Sequence, residues 1–190
     1  MADMLVKLYD LPDPAPHMQR MAEQGITIRR SLPMEIEPMR AWVEKHFNLM
    51  WVGEATASMC KQPSGLWLAQ DGETIVGFAC MEAVAPAYFG PTGVMESYRK
   101  RGIGGALLVR SLHGLREQGH AYAFIGSAGP TDYYEKVVGA MPIPDSKPGI
   151  YANAPSVESI DVVEIGGVLG SCIHPGEVGY HHRGSIRVDK

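Results

Sequence analysis

The sequence predicts an α/β (α+β) fold: one mixed, mostly antiparallel central sheet flanked by helices, in a single domain with a C-terminal extension. Three observations carry this expectation. Two strand-like runs, residues 66–69 and 74–81, are joined through Asp71-Gly72, the strongest short hairpin signal. The order strand, turn, helix, strand, helix between residues 87 and 138 demands a crossover, and therefore parallel pairing. A hydrophobic fraction of 45% with 20% charged residues in 190 suits one globular core and excludes a disordered or fibrous chain.

Taken in order, the first 25 residues read as an N-terminal extension. Pro12, Pro14 and Pro16 interrupt it, Asp3, Asp10 and Asp13 charge it, and it lacks the basic-then-apolar pattern of a secretory leader. Residues 26–30 (ITIRR) alternate apolar and polar, as a strand does, until Leu32 and Pro33 end the run. From Pro38 to Phe47, Met39, Trp42, Val43 and His46 recur at helical spacing, with Pro38 placed at the start. A second, weaker helical stretch over 51–59 stops at Gln62-Pro63-Ser64-Gly65. Met39, Trp42 and Trp51 are expected to pack these helices on the sheet, with the border of a pocket as their alternative place.

Residues 87–94 give a third strand, interrupted at Gly90-Pro91. Residues 104–118 form an amphipathic helix: Leu107, Leu108, Ser111, Leu112 and Leu115 make one stripe, while Arg110, His113, Arg116 and Glu117 make the other. Gly119 is a fitting stop. Residues 122–125 read as a short buried strand and 130–138 as another helix. Beyond Pro142 the chain is loop-rich, with a strand expected at Gly149-Ile150-Tyr151. The expected organisation is thus an extension at 1–25, a main domain at 26–155, and a C-terminal extension of unknown role at 156–190.

Charge narrows the partners. Counting 17 Lys+Arg against 21 Asp+Glu leaves a net charge of −4, so no global basic field exists to hold a nucleic acid. No apolar run approaches the ~18 residues of a membrane span. Cys60, Cys80 and Cys172 are odd in number and far apart, which suggests reduced thiols and a cytoplasmic setting. Cys172, His174, His181 and His182 lack the paired spacing of a zinc site, and no metal is expected.

Any anion must therefore be gripped locally, and one segment has the means. Val94-Met95-Glu96-Ser97-Tyr98-Arg99-Lys100-Arg101-Gly102-Ile103-Gly104-Gly105-Ala106 runs from a strand, through a turn rich in cations and glycine, into the amphipathic helix. Glycine lets backbone N–H groups turn toward a ligand at close range. The helix start adds unpaired donors and a partial positive charge. A phosphate or pyrophosphate is the implied ligand. The Gly-x-x-x-x-Gly-Lys-Ser/Thr pattern of a P-loop is absent, and the glycines do not have the Gly-x-Gly-x-x-Gly spacing of a dinucleotide fold.

The pattern Arg/Gln-x-x-Gly-x-Gly/Ala does fit, as Arg99-Lys100-Arg101-Gly102-Ile103-Gly104. With Ile75-Val76-Gly77-Phe78 before it and Asp132-Tyr133-Tyr134-Glu135-Lys136-Val137-Val138-Gly139-Ala140 after it, the order resembles the GNAT acetyltransferases from about residue 26 to 151. The resemblance implies acetyl-CoA as cosubstrate and a small-molecule or peptide amine as acceptor. It implies that amides of Arg99, Lys100, Arg101, Gly102, Ile103 and Gly104, with Gly105 and Ala106, hold the CoA pyrophosphate. Backbone groups near Val94 and Glu96 would pair with the pantetheine arm, and the N–H of Val94 or Met95 would polarise the thioester carbonyl. Tyr134 would protonate the departing thiolate, with Tyr133 a CoA-binding residue and a competitor for that role. The stretch 126–131 holds no Asn where the family often has one, and Ser127 stands in its place.

Transfer in that family is direct, so Cys80 is not needed as a nucleophile. Glu82, just beyond the second hairpin strand, is the expected general base, with Glu96 or water as alternatives. A non-catalytic acyl-CoA-binding module, or a homodimer formed through the tail, remains open on the sequence alone.

Overall fold

The computed structural model describes residues 2–153. The segment 156–190 lies outside them, and with it Cys172, His174, His181 and His182. Among the described residues no helix is long and apolar enough to cross a membrane.

The elements follow the chain as β1 (Met4–Lys7), α1 (Ala15–Glu23), β2 (Ile26–Arg30), α2 (Ile36–His46), α3 (Leu49–Met59), β3 (Leu66–Asp71), β4 (Thr74–Met81), β5 (Tyr88–Val94), α4 (Ile103–Glu117), β6 (Tyr122–Ile125), α5 (Thr131–Val138) and β7 (Met141–Pro142). They build one sheet in the order β2-β3-β4-β5-β6-β1-β7. Every pairing is antiparallel except β5 with β6, where α4 provides the crossover.

Alternation along the strands feeds two apolar layers. Trp67 and Ala69 of β3 face the layer formed by Met21 of α1 and Ile103, Leu107, Leu112 and Leu115 of α4. Leu66 and Leu68 face the opposite layer, with Met39 and Val43 of α2 and Val52, Ala55 and Met59 of α3. Trp42 meets Phe78 edge to face at 6.0 Å, as its expected packing role requires. Gly77 sits where α4 presses closest: a Cβ there would stand 3.1 Å from the Gly93 carbonyl and 3.3 Å from Leu107.

Two expectations need correction. The first 25 residues are not an appendage. β1 pairs with β6 from Met4 opposite Ile125 to Lys7 opposite Tyr122, and Met4, Val6, Leu8 and Met21 are fully buried. Met1–Asn153 accordingly forms one compact unit. Pro14 and Pro16 start α1 rather than break it, since the first helical turn needs no N–H from those positions. Gly149–Tyr151 is a short 3-10 helix, not a strand. It lies over Asp3, whose carboxylate would stand 2.9 Å from a Cβ on Gly149.

Candidate active site

β5 positions the site. Its parallel pairing with β6 covers Tyr88 opposite Phe124 and Phe89 opposite Ile125, and goes no further. On its other side β5 stays with β4 as far as Gly77 opposite Val94. From Gly90 onward β5 therefore has one edge open, facing the gap where β6 has parted. The Met95 N–H donates to the Val76 carbonyl at 2.9 Å. Bonded and non-bonded pairs alternate in an antiparallel ladder, so the N–H and C=O of Val94 turn away from β4, into the gap. Of the two amides considered for the thioester, Val94 is free and Met95 is occupied.

At the C-terminal end of β5, a turn over Glu96–Tyr98 leads into the glycine segment. Lys100 and Gly102 adopt left-handed backbone, at φ 64° and 91°, which is costly for lysine and natural for glycine. The Arg99 N–H donates to Glu96 and the Ala106 N–H to Gly102. Between them, the amides of Lys100 through Gly105 have no backbone partner among the described residues. Arg99 and Ala106 thus leave the expected set of amide donors, although the Arg99 side chain stays at the pocket.

A cavity of about 370 Å³ opens over this turn, lined by Val94, Arg99, Lys100, Gly102, Ile103, Gly104, Gly105 and Tyr133, with Arg20 and Tyr98. Met95, Glu96, Arg101 and Ala106 are not among the lining residues. Arg101 lies over the Tyr98 ring at 4.9 Å and donates to Gln24 Oε1 at 3.2 Å, while Gln24 returns a bond to the Arg101 carbonyl at 3.1 Å. Gln24, Arg20 and His17, which faces Gly105, come from the α1 region, and the sequence reading missed all three. Their signal was the basic and amide spacing of α1, which needs the strand-to-helix packing to become meaningful.

α5 divides the two tyrosines. Successive helical residues point about 100° apart, and the Tyr133 and Tyr134 rings meet edge to face at 5.4 Å. Tyr133 borders the glycine pocket. Tyr134 borders a second, larger cavity of about 560 Å³, in the gap between β5 and β6. Burial, reinforced by the neighbouring Tyr133, raises its hydroxyl pKa to about 12, so it keeps its proton at neutral pH. Ser127 lines the same cavity, held in left-handed backbone at φ 46° while its N–H donates to Asp3 Oδ1 at 2.7 Å.

Glu82 is not brought to this cavity. Its Oε1 accepts from the Ala87 N–H at 3.1 Å and lies 2.9 Å from His120 Nε2. Its Oε2 pairs with Lys61 Nζ at 3.1 Å. Burial alone would raise its pKa, but the bonds from Ala87, Lys61 and His120 outweigh it and hold the carboxyl below its ordinary value. Such a group ties a loop together and makes a poor base. The carboxylate that does line the cavity is Glu54, on α3. Burial raises its pKa, an effect only partly offset by the Tyr151 hydroxyl. Cys80 is fully buried, and burial pushes its thiol pKa up, which leaves it no nucleophilic role.

The open edge of β5 thus carries the glycine turn at one end and a proton-bearing tyrosine beside the gap. The model of the acetyltransferase (GNAT) family matches residues 29–139, and the chain belongs to that family. Solved structures agree on the fold. The glucosamine N-acetyltransferase region of a fungal multi-domain GH3 β-N-acetylglucosaminidase is 19% identical at a TM-score of 0.62, over 75% of this chain and 19% of that one. GCN5-related N-acetyltransferases from Sphaerobacter thermophilus and Kribbella flavida are 21% and 22% identical, with TM-scores of 0.53 and 0.51. They cover 75% and 74% of this chain, and 48% and 53% of theirs. The chain thus spans between about a fifth and about half of the length of these three solved chains. A search of curated proteins returns no match.

Proposed function

We propose that the protein is an acetyl-CoA-dependent N-acetyltransferase that passes the acetyl group directly to a primary amine. The observation that carries this reading is the open edge of β5, with free loop amides at one end and the Tyr134 phenol facing the gap.

In this reading the amides of Lys100, Arg101, Gly102, Ile103, Gly104 and Gly105, with the Arg99, Lys100 and Arg20 side chains, hold the pyrophosphate. The pantetheine arm lies along β5 as an added strand, with Ser127 across the gap. The Val94 N–H points at the thioester carbonyl and strengthens its bond as negative charge grows on that oxygen. The amine nitrogen attacks the carbonyl carbon, the C–S bond breaks with its electron pair on sulfur, and Tyr134 supplies the proton that makes the thiol. Holding amine and thioester in one cavity replaces a covalent enzyme intermediate. A cytoplasmic setting fits the free thiols of Cys60 and Cys80.

Release of CoA from acetyl-CoA, followed across a panel of amines, tests the reading. Amine-dependent release, abolished or strongly reduced in Tyr134→Phe, is the expected result. Tight acetyl-CoA binding with no release for any amine would instead identify a non-catalytic acyl-CoA-binding module.

A further inference from the structure

We propose that the acceptor is a monocationic primary amine on an apolar, ring-sized body, seated with its ammonium against Glu54, which takes the proton that frees the nitrogen for attack. This rests on the acyl-transfer reading above and names the substrate class of the same site.

The helical repeat puts Met50, Trp51 and Glu54 on one face of α3, with Glu54 four and three residues beyond the other two. All three line the 560 Å³ cavity. The other face of α3, through Val52, Ala55 and Met59, is fixed in the core. Glu54 is therefore held on a rigid element and half-buried among rings. Tyr134 lines the same cavity, together with Thr92 of the open strand edge. A carboxylate and a proton-bearing phenol thus share one chamber with the strand that would present the thioester.

Charge count sets the acceptor class. Among the described residues lining the cavity, Glu54 is the one carboxylate and Lys147 the one ammonium. A polyamine or amino-sugar antibiotic brings several charges, each of which must be matched or left in water, and this wall offers a single match. The remaining wall is largely apolar and aromatic, with Trp51, Tyr88 and Tyr151. Rings take an apolar body by burial and an ammonium over their faces.

The protons balance. The Glu54 carboxylate takes one proton from the bound ammonium, and the neutral nitrogen attacks the carbonyl carbon. When the C–S bond breaks, the sulfur takes the Tyr134 proton. The surplus proton on the new amide nitrogen passes back to the Tyr134 phenolate. Glu54 then releases its proton to water. Partial burial among rings lifts the Glu54 carboxyl above its ordinary range, toward the value that suits a base at neutral pH. The titratable groups around it are the Tyr151 hydroxyl, which offsets part of the burial effect, and Cys80 of β4, with Tyr88 of β5, Tyr134 of α5 and Lys147 lining the same cavity.

The test is steady-state CoA release by the full chain, wild type and Glu54→Gln, with phenethylamine, spermidine and a lysine-terminated peptide, alongside acetyl-CoA titration of both proteins. The expected result is a kcat/KM for phenethylamine at least about tenfold above the other two, because one extra uncompensated charge alone costs that much. Glu54→Gln should lose about 100-fold in kcat/KM, the usual scale for a lost general base. Its acid limb should vanish from the pH profile, while its acetyl-CoA Kd stays within about twofold. Preference for spermidine or the peptide, or an unchanged Glu54→Gln profile, would overturn the proposal and leave the acyltransferase reading standing. Failure of every amine would remove that reading and this proposal together.

Discussion

The Arg20 guanidinium on α1 lies 3.2 Å from where a Cβ on Gly102 would stand, and Gly102 itself holds φ +91°. A helix from the first 25 residues thus closes over the middle of the glycine turn. Gly102→Ala meets two obstacles. The Arg20 tip can move aside, but the left-handed backbone costs a non-glycine residue about 1–3 kcal/mol. We expect acetyl-CoA affinity to fall about tenfold or more. Arg20→Ala should weaken binding about fivefold, with the deficit shrinking as salt rises, because an exposed cation–phosphate contact is screened. Calorimetric titration at two salt concentrations checks both.

The neighbours Tyr133 and Tyr134 face different cavities, so their hydroxyls should separate in kinetics. Tyr134→Phe should lower kcat by about 100-fold or more, the ordinary scale for a lost general acid, with acetyl-CoA affinity little changed. Tyr133→Phe should change acetyl-CoA affinity and leave kcat within about threefold. With its pKa raised to about 12, Tyr134 stays protonated across the working range. Wild-type activity should therefore show no alkaline loss from this group below about pH 10.

Glu54 sets function against stability. Its pKa is higher in the folded chain than in the unfolded one, so the folded state binds its proton more readily. The ionised form is therefore a burden on folding. That burden is absent below the unfolded pKa, where both states are protonated, and complete once pH has risen through the folded value. Glu54→Gln should accordingly melt at a higher temperature than wild type at neutral pH, and the gap should close toward acid pH. Thermal unfolding across that range reads the sign directly. The same substitution lowers activity, as expected for a charge kept for chemistry.

Asp3 ties the chain start to the cavity wall. Its Oδ1 accepts from the Ser127 N–H, and Ser146 Oγ accepts from its own N–H at 2.8 Å. Asp3→Ala leaves the Ser127 amide without its partner, at a cost of about 1–3 kcal/mol. Urea unfolding measures this. Because Ser127 lines the cavity, the acetyl-CoA KM should rise as well.

The parts legible in the sequence were those whose signals are local. Asp71-Gly72 marks the hairpin between β3 and β4 by turn chemistry alone, and α4 shows its stripe within fifteen residues. The glycine turn could be read because amide donors, cations and a helix start are consecutive. β1 could not, since a four-residue strand, here one place in from the sheet edge, has too few positions to show alternation. Pro14 and Pro16 looked like breakers because proline at a helix start and proline in a loop are the same letters. Glu82 looked like a base because it follows β4 directly, but only the fold brings Lys61 and His120 to it. Glu54 was passed over for the reverse reason: its companions Tyr88, Tyr134 and Tyr151 are distant in the chain. Ordered motifs reveal a cofactor turn, whereas an acceptor pocket is assembled from elements that meet only in three dimensions.

In the proposed function the glycine turn and the open edge of β5 bind acetyl-CoA. Calorimetric titration of acetyl-CoA into the wild-type chain tests it most directly. Saturable one-to-one binding with Kd in the range of about 1 to 100 µM, weakened in Gly102→Ala, is the expected result. No saturable heat up to about 1 mM ligand, or equal binding by wild type and Gly102→Ala, would contradict it.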